Sequence, residues 1–165
     1  MEFEKLLKSD KYQVFLFTCP AIMPFSFAVH PWFVVNNKGS LERFGVGRQG
    51  GARWEVLHTA RNNERNWGHL HLNLLPPAQG TQIFSFTQRY SWKGNVSGLI
   101  EGGEGSLAQQ MAERIESSPQ TYPYCNTYSL KGPNSNTYVQ WVLNQFPNSG
   151  LKLPWNAFGK SYLKP

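Results

Sequence analysis

The sequence predicts an α+β domain, with an antiparallel sheet from the first half of the chain and two helices in the C-terminal half. Three observations carry this. Segments rich in aromatic and β-branched residues, separated by turn signals, fill the chain as far as Trp92. Two stretches from Glu104 onward place apolar residues at helical spacing. No repeat, low-complexity tract or linker divides residues 1–165, and a single domain of that length buries a core without covalent staples.

The strands follow in order. YQVFLF (12–17) and FAVHPWFVV (27–35) are aromatic and β-branched, and the second runs into the turn signal NNKG. LERFGVG (41–47) reads as the returning strand, Gly50 and Gly51 as a second turn, and ARWEVLH (52–58) as a third strand. The polar stretch TARNNERN reads as a loop. It leads to WGHLHLNLL (67–75), an alternating strand closed by Pro76 and Pro77, and TQIFSFTQRYSW (81–92) supplies one more.

The first helix is predicted over 104–119, with Leu107, Ala108, Met111 and Ile115 on one stripe. Ser106 and Gln109 have capping-box spacing, and Pro119 marks the stop. After the connector TYPYCNTY, a second amphipathic helix spans 135–146. Tyr138, Trp141, Val142 and Gln145 lie along one side, and Val139, Leu143 and Phe146 along the other. The tail LPWNAFGKSYLKP has no period.

Composition narrows the function classes. The 40% of apolar residues and 15% of aromatics describe a globular chain. The opening MEFEKLLKSD lacks the order of a signal peptide, and prolines break the uncharged run from Tyr12 to Asn37, so no membrane span and a cytoplasmic location are expected. Cys19 and Cys125 have no metal-ligand spacing and are expected as free thiols. The net charge of +6 gathers partly in Arg43, Arg48, Arg53, Arg61 and Arg65. Glu42, Glu55 and Glu64 dilute it, and no nucleic-acid partner is expected.

Two sets of residues could carry chemistry. His30 interrupts an otherwise apolar strand, where a histidine is ordinarily a hydrogen-bonded core residue. With the same-face pair His69 and His71 it could build a three-nitrogen zinc site, although H-x-H alone is a weak signal and no metal or other cofactor is expected. Ser135 lies in the triplet Asn134-Ser135-Asn136 at the start of the second helix. Helix capping alone accounts for such a triplet. The same position also suits a nucleophile, because unpaired N–H groups and the positive end of the helix dipole stabilise negative charge there. A serine hydroxyl then requires a general base, and His30 is the candidate.

HPWFVV, WGHLHLNL, YPY, GPNSNTYVQWVL and LPWNAFGKSY together resemble a bacterial and fungal domain of unknown function, number 3750, from about Phe27 onward. A more distant resemblance is to circularly permuted papain-like enzymes, among them lecithin retinol acyltransferase-like proteins and cell-wall peptidases. In these a histidine on an early strand serves a cysteine at a late helix start. That resemblance implies a permuted papain-like arrangement, with His30 as base and Ser135 in the cysteine position. It further implies the N–H groups around Asn136 and Thr137 as the oxyanion site, and Glu55 or His69 as the group orienting His30. A glutamate in a strand is ordinarily solvent-facing, which weighs against Glu55. The expected function is hydrolysis or acyl transfer at an amide or ester bond. The alternative is a catalytically inactive module whose Trp32, Trp67 and Trp141, with Asn134 and Asn136, bind a peptide, glycan, lipid or other small molecule.

Overall fold

The computed structural model describes residues 3–38, 51–83 and 90–163. Seven strands occur among them: β1 (Tyr12–Pro20), β2 (Val29–Asn36), β3 (Ala52–Asn63), β4 (Asn66–Leu72), β5 (Gln79–Ile83), β6 (Tyr90–Lys93) and β7 (Asn95–Gly102). Three helices follow: α1 (Leu107–Glu116), the single turn α2 (Ser118–Thr121) and α3 (Ser135–Gln145). Five strands form one antiparallel sheet in the order β4-β3-β2-β1-β7, and β5 and β6 form a separate ribbon.

Both faces of the sheet are covered, so β1 and β2 are buried almost end to end rather than at alternate positions. Leu16 and Phe33 pair across β1 and β2 and face the helices. There they join Trp54, Leu70, Met111, Ile115, Tyr138 and Val142 in the main core. The intervening residues Phe15, Phe17, Trp32 and Val34 face the other way, under Phe3, Trp92 and Val96. The α+β architecture therefore stands, with a second core beneath the sheet.

Several elements differ from the sequence expectation. The stretch TARNNERN is not a loop: β3 runs to Asn63, β4 starts at Asn66, and only Glu64 and Arg65 turn. The strand expected to reach residue 75 ends at Leu72, and the one expected over 81–92 is two strands, β5 and β6. Strand β7 was not anticipated, because NVSGLIEG mixes glycine, polar and apolar residues as a half-exposed edge strand does. Pro119 does not end a helix but sits in the first turn of α2, where its missing N–H costs nothing. The returning strand expected over 41–47 lies outside the described residues.

The β3–β4 ladder carries the feature that shapes the site. Val56 pairs with Leu70, but Arg61 pairs with Gly68, so residues 57–60 bulge out of the ladder. The H-x-H pair fills the gap. His69 Nδ1 bonds the Leu57 carbonyl at 2.9 Å, and His71 Nε2 bonds the Thr59 carbonyl at 2.8 Å. Two carbonyls that lost their ladder partners are satisfied by imidazoles of the neighbouring strand. This is the physical reason for a pair that could otherwise be read as metal ligands.

Gly68 fixes the start of this arrangement. Its φ of +63° is left-handed, and a Cβ there would lie 2.3 Å from the Cys125 carbonyl. That carbonyl accepts the His69 N–H at 2.7 Å, which ties β4 to the connector before α3. Gly68→Ala is expected to destabilise the fold by more than about 2 kcal/mol, read as a lowered urea midpoint with an unchanged slope.

Candidate functional site

Helix α3 begins where Asn134, in an extended backbone conformation, turns its side chain back over the first turn. Its Oδ1 accepts the N–H groups of Asn136 at 3.0 Å and Thr137 at 3.2 Å, while Thr137 Oγ1 accepts the Asn134 N–H at 3.1 Å. The other polar atoms here tie the helix start to the rest of the fold. Asn134 Nδ2 donates to the Leu130 and Phe158 carbonyls, and Thr137 Oγ1 donates to the Gly159 carbonyl. Asn136 Nδ2 donates to the carbonyls of Val29 on β2 and of Phe158.

In the quartet Asn134-Ser135-Asn136-Thr137, three side chains are thus committed to structure. Ser135 is the exception. It is 6% exposed, and neither its hydroxyl nor its N–H has a hydrogen-bond partner among the described residues. Asn134 caps the helix, which leaves Ser135 free of that role. The N–H groups of Asn136 and Thr137, expected as an oxyanion site, are occupied by the cap. The Ser135 N–H is the open donor at this helix start.

Among the described residues, the β2–β3 pairing runs from Val35 opposite Ala52 to Phe33 opposite Trp54. Beyond that point the strands part. A cavity of about 650 Å³ opens between Val29 and His30 on one side and Val56, Leu57, His58 and Thr59 on the other. The N-terminal end of α3 borders it through Asn134, Ser135 and Asn136. Ile22, Leu74, Leu75 and Leu130 make much of the remaining wall apolar. Asn136 Oδ1 is buried without a partner among the described residues, an acceptor on the wall of this cavity.

His30 is 7% exposed and lies on the face of β2 that also carries Trp32, on whose ring it stacks with centroids 5.7 Å apart. Its Nε2–H donates to Glu55 Oε2 at 3.3 Å. The same carboxylate oxygen accepts from Arg53 Nη2 at 2.6 Å. Arg53 in turn donates to the Pro76 and Gln79 carbonyls and lies 4.2 Å over the Trp32 ring. Glu55 is therefore not solvent-facing but fully buried, and β-strand alternation explains why: Arg53 and Glu55 are two residues apart and share a face. Burial alone would push the Glu55 carboxyl up. The hydrogen bond from His30 and the Arg53 guanidinium outweigh it and hold the carboxyl below the ordinary range.

The remaining sequence candidates lie elsewhere. His69 is engaged with Leu57 and packs against Tyr128, and it makes no bond to His30. Among the described residues no group of three side chains could hold a metal ion. Trp32 is buried with its N–H on the Pro77 carbonyl, Trp67 stacks on Trp54, and Trp141 packs against Tyr122 and Arg114. None of the three borders the cavity, whose aromatic residues are Phe25, Phe27, Tyr128 and Phe158. The sequence reading missed Arg53. The signal was present as Arg-x-Glu within one strand, where the period of two puts both charges together. Cys19 and Cys125 are both free.

The profile of the family described as Protein of unknown function (DUF3750) matches residues 11–162. The chain belongs to the DUF3750 family. No curated protein and no solved structure matches it. The DUF3750 match covers every element from β1 to the tail that carries Phe158, so the His30 strand and the Ser135 helix both fall within it. No helix among the described residues is long and apolar enough to cross a membrane.

Two outcomes follow from the buried charges. Arg53→Met leaves Glu55 without its guanidinium partner and is expected to cost about 3–5 kcal/mol, while the double variant Arg53→Met/Glu55→Gln recovers part of that loss in a denaturation series. Because the Glu55 carboxyl is lowered in the fold, its contribution is complete above the ordinary carboxylate range and fades as the pH falls through the lowered value. Thermal unfolding followed from neutral to acid pH is expected to fall less steeply for Glu55→Gln than for the unaltered protein.

Proposed function

We propose that the cavity is the site of an ester or amide hydrolase, or of an acyltransferase, with Ser135 as nucleophile and His30 as general base. The observation that carries this reading is that His30 and Ser135 border one cavity, with His30 hydrogen-bonded to a buried, ionised glutamate. In the reaction, Ser135 Oγ attacks the carbonyl carbon of the substrate and its proton passes to His30. The carbonyl oxygen, becoming negative, is stabilised by the Ser135 N–H and the positive end of α3. The carbon–oxygen or carbon–nitrogen bond then breaks, and His30 returns the proton to the leaving alcohol or amine. Water or a second alcohol or amine releases the acyl group from Ser135. Glu55 keeps the imidazole oriented through Nε2, so Nδ1 is the nitrogen that exchanges the proton. The apolar wall suits a substrate with a hydrocarbon portion, and Asn136 Oδ1 accepts a hydrogen bond from its polar end.

A second reading has its own observation. His30 and Ser135 make no hydrogen bond to each other, and alternation along β2 puts His30 on the face of the sheet opposite α3. On this reading the cavity binds an amphipathic ligand without turning it over. A serine-reactive fluorophosphonate separates the two. The enzyme is expected to be labelled, with labelling abolished in Ser135→Ala and His30→Ala and slowed by roughly two orders of magnitude in Glu55→Gln. Folded protein that resists the probe yet saturably binds a fluorescent hydrocarbon-chain ligand, with binding weakened in Asn136→Ala, is the module.

A further inference from the structure

The mouth of the cavity carries an exposed aromatic rim. Phe25 and Phe27 belong to the segment between β1 and β2, and Phe158 to the tail after α3. Phe27 has ring centroids 6.3 Å from Phe25 and 6.0 Å from Phe158. The two segments are tied by hydrogen bonds from Asn156 Nδ2 to the Phe27 carbonyl and from the Val29 N–H to the Asn156 carbonyl. Phe27 is 64% exposed and Leu130, also on the cavity wall, 63%; Met23 and Trp155, beside these segments in sequence, are exposed as well. Monomeric proteins rarely leave large side chains clustered in water in this way unless something covers them.

Charge indicates what covers them. The chain has no aspartate or glutamate from Lys11 to Leu41 or from Ser117 to Pro165, the two stretches that supply the rim. Lys131 and Arg61 stand on the cavity wall itself, and Lys160 lies two residues beyond Phe158. The one described acid on this side is Glu64, in the β3–β4 turn between Arg61 and Arg65, since Glu55 is buried in its ion pair. Several acids gather at the other end of the strands: Glu101 bonds Lys8 and Gln13, Glu104 bonds Tyr12 and Lys38, and Glu116 bonds Asn37. The eight residues of β2 separate the two ends by roughly 23 Å. The molecule is thus polarised along its strands, with the apolar rim at the end depleted of acid.

We propose that this end docks on an anionic lipid bilayer, the aromatic rim entering the headgroup region while Lys131, Arg61 and Lys160 meet lipid phosphates. Aromatic rings and basic side chains together are the pair of features that hold a protein at such an interface, each reinforcing a binding that is weak alone. The proposal stands whichever chemistry the cavity performs.

Cosedimentation of the full chain with vesicles tests it. Binding to phosphatidylcholine vesicles containing phosphatidylglycerol is expected, with much weaker binding to phosphatidylcholine alone and release as salt is raised. Lys131→Gln is expected to weaken binding about fivefold. Phe27→Ser is expected to weaken it by about tenfold, and both sites are exposed enough for the variants to fold. Lys38→Gln removes the same charge at the opposite end and is expected to leave binding unchanged. Three results overturn the proposal: no binding to anionic vesicles, equal loss in Lys38→Gln and Lys131→Gln, or rim-dependent dimerisation in solution that vesicles do not compete away.

Discussion

The structure turns on a charge that cannot leave. Arg53 is fully buried between the main sheet and the Pro76–Gln79 segment, and Glu55 is the only acid that neutralises it there among the described residues. Removing both ions from water is costly, and their attraction offsets this only because the surrounding carbonyls, the Trp32 face and His30 complete the arrangement. Even so, Arg53 Nε and Glu55 Oε1 find no partner among the described residues. A hydrophobic pair of similar volume could fill this space with less desolvation. The ion pair is therefore better understood by its effect on His30, which it fixes in one ring orientation with a formal negative charge behind it.

A second constraint joins the helix to the sheet. Asn134, Asn136 and Thr137 satisfy the helix N-terminus and also bind the backbone of β2 and of the tail, so the start of α3 is held in place by five side-chain bonds to carbonyls outside the helix. Position and chemistry separate at this point. The residues around Ser135 supply rigidity, and Ser135 itself contributes nothing to the cap. A group held rigidly in a cavity wall without a structural task of its own is what a reacting or ligand-touching residue requires.

Much of this was legible in the sequence, and the rest was hidden for identifiable reasons. Aromatic and β-branched runs located β1 and β2, and the helical stripe with Ser106 as its cap located α1. The asparagine-rich run marked the start of α3 to the residue. The β3–β4 hairpin was obscured because its outer half is polar, exposed backbone pairing that carries no apolar signal. The H-x-H pair was ambiguous, since a carbonyl-binding imidazole and a metal-binding one look alike until the bulge is seen. Which aromatics meet the cavity depended on tertiary placement: Trp32, Trp67 and Trp141, with their large apolar surface, pack into or against the two cores, and phenylalanine and tyrosine rings stand at the opening.

The parting of β2 and β3 sets a gauge. Among the described residues three pairs hold these strands together, and the floor of the cavity, near His30 and Val56, lies where the third ends. Each additional pair closed, or one released, would move that floor by the rise of about 3.3 Å per residue. On the proposed reading, the length of hydrocarbon the cavity accepts is governed in discrete steps by how far two backbones stay zipped, a property that substitutions at Phe33 or Trp54 would alter without touching the mouth. The depth of the cavity and the orientation of His30 are thereby set by neighbouring residues of the same two strands, so a change in one is coupled to the other.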